Sequence, residues 1–180
     1  MAIMAKESTR VWTQAPEGLH QAVCCDVVDL GLVKTEWGEK PKVRVIFQLA
    51  IFDEDGAELY NPDITDADKR FEVRRDFGLS LAEKSLLRPF LESWRGRKFT
   101  REELDGFDLE KLIGINCQAQ IIHNITEQGK TYANIQAAVP LGRGMAKIHA
   151  QDYTRVKDRA KVQTETGEHP HEGEDDVCPF

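Results

Sequence analysis

The chain has 180 residues, 41% of them apolar and 31% charged, with a formal net charge of −7. That suffices for one ordinary domain with its own core and a short tail. Its apolar runs are a few residues long, far short of the roughly 20 that a membrane-spanning helix needs. The opening MAIMAKESTR has no apolar stretch behind its charges, so no secretory leader is expected. The cysteines, at positions 24, 25, 117 and 178, lack the spacing of a zinc site or a disulfide framework. A cytoplasmic, thiol-reduced protein with no membrane partner is the expectation.

The charge is unevenly placed. Residues 165–180 carry Glu165, Glu168, Glu172, Glu174, Asp175 and Asp176 with no Lys or Arg, so −6 of the −7 lies in this end. Just before it, residues 143–161 set Arg143, Lys147, Arg155, Lys157, Arg159 and Lys161 against only Asp152 and Asp158. A near-neutral body is thus followed by a basic segment and an acidic end.

Residues 20–33 (HQAVCCDVVDLGLV) are β-branched and predict a long first strand, bent at Gly31. Residues 34–41 (KTEWGEKP) predict a turn-forming loop that carries Trp37. From 42 to 52, Val43, Val45, Phe47, Leu49 and Ile51 alternate with Lys42, Arg44 and Gln48, the period of a one-sided strand. Residues 53–68 are a long polar connection. Residues 69–81 alternate again, with Phe71, Val73 and Phe77 inward, Arg70 and Arg74 outward, and Arg75 breaking the pattern.

The period then changes. Leu81, Leu86, Leu87, Phe90, Leu91 and Trp94 recur at helical spacing, opened by Ser80 and closed near Gly96, with Pro89 predicting a kink or two short helices. Thr100 and Glu103 have the spacing of a capping box at the start of a second short helix. Residues 116–124 and 130–139 alternate as a hairpin across ITEQG. After Leu141 no strand pattern survives, and 145–163 is weakly helical at best.

Three strands, a helical insertion and two more strands give a mainly β chain. The order is that of the five-stranded OB-fold barrel, with its helix between strands three and four. The expected organisation is an N-terminal arm (1–17), an OB-fold domain (18–141), a basic linker (142–164) and a disordered acidic tail (165–180).

An OB-fold binds through the face of strands two and three and the loops flanking it. That face would gather Trp37, Lys42, Arg44, Arg70, Arg74, Lys130 and Tyr132. Aromatic rings interleaved with cations suit single-stranded nucleic acid, offering π surface to unstacked bases and charge to phosphates. Each residue also has a plainer reading. Trp37 folds back over the barrel end, the cations are solvated strand residues, and Tyr132 packs across strands. Adjacent Cys24 and Cys25 point to opposite faces of a strand and cannot share a metal. No phosphate-cradling loop, dinucleotide fingerprint or HExxH helix is present, so neither an enzyme nor a cofactor is expected.

The final EDDVCPF resembles the tip of bacterial single-stranded-DNA-binding proteins, which typically ends D-D-D-I-P-F. Asp175, Asp176, Pro179 and Phe180 match, while Val177 and Cys178 depart from it. The block LRPFLESWRGRKFTREELDGFDLEKLIG, with GKTYANI after it, is similar to phage-encoded proteins of this kind over roughly residues 80–139. The resemblance implies an OB-fold core that binds single-stranded DNA in replication or recombination in an infected bacterial cell. It also implies a tail whose terminal Phe and carboxylate dock on replication or repair enzymes. Two alternatives stay open: a strand-annealing accessory protein, and a protein-interaction adaptor that binds no nucleic acid.

Overall fold

The structure, a computed structural model, describes residues 12–64 and 68–159. Six strands form one antiparallel sheet: β1 (Gly18–Thr35), β2 (Gly38–Phe52), β3 (Glu58–Leu59), β4 (Phe71–Gly78), β5 (Asn116–Ile125) and β6 (Thr131–Pro140). Helix α1 (Leu87–Arg95), the short α2 (Arg101–Asp105) and a 3-10 turn (Leu109–Leu112) intervene between β4 and β5 in the chain. β1 is central. It pairs with β5 through its first residues and with β2 along most of its length, while β3 and β4 pair with β2 and β6 with β5. The protein is therefore mainly β with a helical insertion. Among the described residues, no helix is long and apolar enough to cross a membrane.

The alternation of the second and third predicted strands builds the core. Val43, Val45, Phe47, Leu49 and Ile51 of β2 lie buried with Phe71, Val73 and Phe77 of β4. Ala22 and Cys24, Cys117, Ala119 and Ile121, and Ile135 and Ala138 continue this face across β1, β5 and β6. Gly31, at φ +63°, sits at a shift of register between β1 and β2 and provides the expected bend.

The helical stretch is shorter than its spacing predicts. Residues 80–86 form turns, Ser80 Oγ accepts from Ala82 N instead of opening α1, and Leu86 is exposed. Pro89 does not kink a long helix. It is the third residue of α1, in the first turn, where a missing N–H leaves no intrahelical bond unmade. α1 buries Leu87, Phe90, Leu91 and Trp94 against the sheet, with ring centroids of Phe47 and Trp94 5.1 Å apart and of Phe77 and Phe90 4.8 Å apart. Gly96 closes the helix at φ +69°. A Cβ there would lie 2.8 Å from Pro140 Cγ, so both the turn and the approach of β6 require glycine. The Thr100/Glu103 capping box forms as the spacing predicts.

Arg75, the residue that breaks the alternation of β4, points to the core side and spans the two outer strands. Its Nη1 donates to the carbonyls of Ile135 (2.9 Å) and Gln136 (2.6 Å) on β6, and its guanidinium lies 5.0 Å from the centre of the Phe77 ring. Partial burial lowers its pKa, but two carbonyls and an aromatic face replace the water it loses.

Residues 145–159, expected as part of a basic linker, run along the other face of the sheet as a strap. Gln48 Nε2 donates to Gln151 O and Gln48 Oε1 accepts from Gln151 N, both at 2.8 Å. Asn116 pairs with both backbone groups of Ile148 in the same way, at 2.9 and 2.8 Å. The strap is then pinned at Asp26, a carboxylate only 1% exposed, which accepts from Tyr153 Oη, Arg155 Nε and Val156 N. Arg155 also makes a bidentate pair with Glu110.

Candidate nucleic-acid interface

Instead of an eight-residue loop, β1 and β2 are joined by a two-residue turn, Glu36 and Trp37, closed by the pair Thr35 and Gly38. Thr35 Oγ1 donates to Gly38 O at 2.7 Å and accepts from Trp37 N at 3.3 Å. Gly38, at φ +99°, supplies the backbone conformation the turn needs. So tight a turn projects Trp37 outward, and at 83% exposure its ring does not fold back over the end of the sheet.

Strand parity places Lys40, Lys42 and Arg44 of β2 on the sheet face that carries Arg74 of β4. Arg74 is exposed and Lys42 half-buried. Arg44 is already engaged: its Nε and Nη2 donate to the two carboxylate oxygens of Asp76 at 2.6 and 2.8 Å. The pair holds the Asp76 carboxyl below its ordinary pKa and raises that of Arg44. A phosphate would have to compete with Asp76 for this guanidinium.

Three other predicted positions stand apart from this group. Arg70, expected outward and free, is buried. It bonds Glu58 beside it and donates from Nη1 to His149 O of the strap at 2.8 Å. Its parity is outward, but the strap and β3 cover that part of the face. Lys130 and Tyr132 belong to the β5–β6 hairpin, whose tip extends beyond the N-terminal end of β1, since Gly18 pairs with Ile121. Trp37 lies beyond the opposite end of this 18-residue strand, about 60 Å away along its contour. The register therefore does not seat Tyr132 beside Trp37, although Tyr132 is 45% exposed. Asp175, Asp176, Pro179 and Phe180 lie outside the described residues.

The three described cysteines are buried. Burial, with the nearby charges of Glu72 and Asp26, pushes the Cys25 thiol up to about 12, and burial alone does the same for Cys117. Cys25 Sγ lies 3.4 Å from Ile46 O, at a register shift of β1.

Sequence reasoning missed the strap residues Tyr153, Arg155 and Arg159 and the buried Asp26 that holds two of them. One signal was present. A carboxylate inside the apolar run AVCCDVV requires a buried partner, and the basic surplus at 143–161 could supply it. In comparison with known proteins, no family model matches the chain and no curated protein matches it.

Proposed function

We propose that the chain is a non-enzymatic protein of the infected bacterial cytoplasm that binds single-stranded DNA with little sequence preference and recruits replication or repair proteins through its acidic C-terminal tip. The observation that carries this reading is Trp37, 83% exposed on a turn too short to fold it back. Lys40, Lys42, Arg44 and Arg74 lie on the adjoining face. A ring held out beside cations offers a base a stacking surface and the phosphates charge.

The strand order β4-β2-β1-β5-β6 supports an OB-fold, with the two outer strands bridged by Arg75 and α1 packed below, in the manner of a small closed barrel. The tail, with six carboxylates and no cation over 165–180, competes with DNA for the cationic face at low salt. An annealing accessory would use the same surface and is separated by strand-pairing kinetics.

The adaptor reading is favoured by one observation, the way Gln48 and Asn116 already grip the backbone of an extended segment. Titration with oligo-dT at low salt, read by tryptophan fluorescence and mobility, decides between them. Binding should weaken by about 0.7 log units per neutralised phosphate for each tenfold rise in salt. Unchanged fluorescence and mobility would leave the adaptor.

A further inference from the structure

Between β4 and the strap lies a cleft of about 590 Å3, lined by Asn61, Lys69, Glu72, Asp152, Tyr153 and Arg159 among others. Its size falls in the range of about 300–1,000 Å3 typical of small-ligand sites. Among the described residues, Lys69 and Asp152 take part in no ion pair. Glu72, among the described residues, accepts one long bond, from Gln48 Nε2 at 3.4 Å, and forms no ion pair. Arg159 donates to Thr154 O at 3.0 Å, and its guanidinium lies 5.4 Å from the centre of the Tyr153 ring.

Asp152 is also the one non-glycine residue with a positive φ (+45°) among the described residues. The bonds of its neighbours fix it there, Gln151 to Gln48 on one side and Tyr153 to Asp26 on the other. Those bonds leave the Asp152 carboxylate lining the cleft with no ion-pair partner among the described residues.

The cleft is continuous with the cationic face. Glu72 and Arg74 are successive outward residues of β4, opposite Gln48 and Ile46 of β2. On the single-stranded-DNA reading, a strand stacked on Trp37 and running past Lys42, Arg44 and Arg74 would lead into it.

We propose that this cleft holds one nucleotide of the bound strand and selects bases that carry an exocyclic amino group. The assignment rests on the single-stranded-DNA reading above. Tyr153 and Arg159 form the platform for the base, and Lys69 supplies charge to the phosphate. Glu72 and Asp152 accept hydrogen bonds from the base edge. Cytosine, adenine and guanine offer such carboxylates an amino group with two N–H donors, whereas thymine offers only its single ring N3–H. The nearly sequence-neutral interface thus contains one position that reads the base.

The test is a comparison of oligo-dC and oligo-dT of equal length on the full chain at fixed salt, pyrimidines of similar size that differ at this amino group, at ring N3 and by the thymine methyl, with the carboxylate variants isolating the part due to the amino group. Oligo-dC is expected to bind about fivefold more tightly or better. In a Glu72→Gln, Asp152→Asn double variant the ratio should fall to about one. The readout is the ratio because loss of two negative charges tightens both oligonucleotides together. Lys69→Ala should weaken both equally and reduce the salt slope by about 0.7. Oligo-dT binding with equal affinity for oligo-dC, or a preference that survives in the double variant, overturns the cleft and leaves the DNA-binding reading standing. Failure of both oligonucleotides to bind overturns both.

Discussion

Replacing Asp26 by alanine is expected to free the end of the strap, from Tyr153 onward, from the sheet. Four donors converge on this buried carboxylate: Val27 N at 2.9 Å, Tyr153 Oη at 3.1 Å, Arg155 Nε at 3.0 Å and Val156 N at 2.8 Å. Three of the four come from the strap. Hydrogen bonds to a charged group contribute roughly 1.5–3 kcal/mol each, but the exposed strap recovers much of that from water once it lifts. Arg155 keeps its bidentate partner Glu110, so no guanidinium is stranded without a counter-charge. That holds the loss below the approximately 3–5 kcal/mol of a broken buried pair, and about 2–3 kcal/mol is expected. Small domains have about 5–15 kcal/mol in hand, so the variant should still fold. Urea unfolding measures the loss, and limited trypsin digestion locates it at Arg155 and Lys157. An Asp26→Ala protein with an unchanged midpoint and an unchanged tryptic pattern would refute the role assigned to this carboxylate.

On the proposed function Trp37 stacks on a base, so Trp37→Ala should weaken oligo-dT binding by about 1–3 kcal/mol, and since the ring is exposed in the free protein the melting temperature should not change. Unaltered affinity would remove Trp37 from the interface. Hydrogen bonds from Arg155 hold Glu110 down to about 2, and those from Arg95 and Arg97 do the same for Glu103, against an ordinary value of 4.5. Since the folded values are depressed, their stabilisation is complete above 4.5 and is lost as pH falls towards 2. The slope of melting temperature over that window should flatten in Glu110→Gln. Cys24, Cys25 and Cys117 are buried with raised thiol pKa values, so at most one of the four cysteines should react with a thiol reagent before denaturant is added. Deleting residues 165–180 should tighten DNA binding at low salt and lose that advantage as salt rises. Phe180→Ala should keep DNA affinity and abolish capture of a replication partner in a pull-down.

Much of the fold was legible because its determinants are local. The period-two run of β2 sorts Val43 to Ile51 by face whatever lies beyond, and the Thr100/Glu103 box needs only three residues of spacing. Even the short α1 was implicit in Pro89, which fits a first turn better than a helix interior. Helical spacing of Leu81 and Leu86 pointed the other way, because periodicity cannot tell a helix from turns whose apolar residues happen to match it.

What the sequence could not decide is which outward residues stay outward. Parity sends Arg44, Arg70 and Arg74 to one face alike, yet Asp76 occupies the first, Glu58 and the strap bury the second, and only the third is open. The same holds for the distance between the two hairpin tips, which depends on pairing Gly18 with Ile121 and not on any pattern within either hairpin. The strap binds through side-chain to backbone bonds that reach 103 residues along the chain from Gln48 to Gln151 and 130 from Asp26 to Val156. Such bonds impose no period on the segment they hold, so 145–159 looks like linker until the sheet is beneath it. Residue type and spacing determine the elements and their buried faces. Accessibility belongs to whatever distant segment comes to lie on top, and that is decided only when the chain has folded.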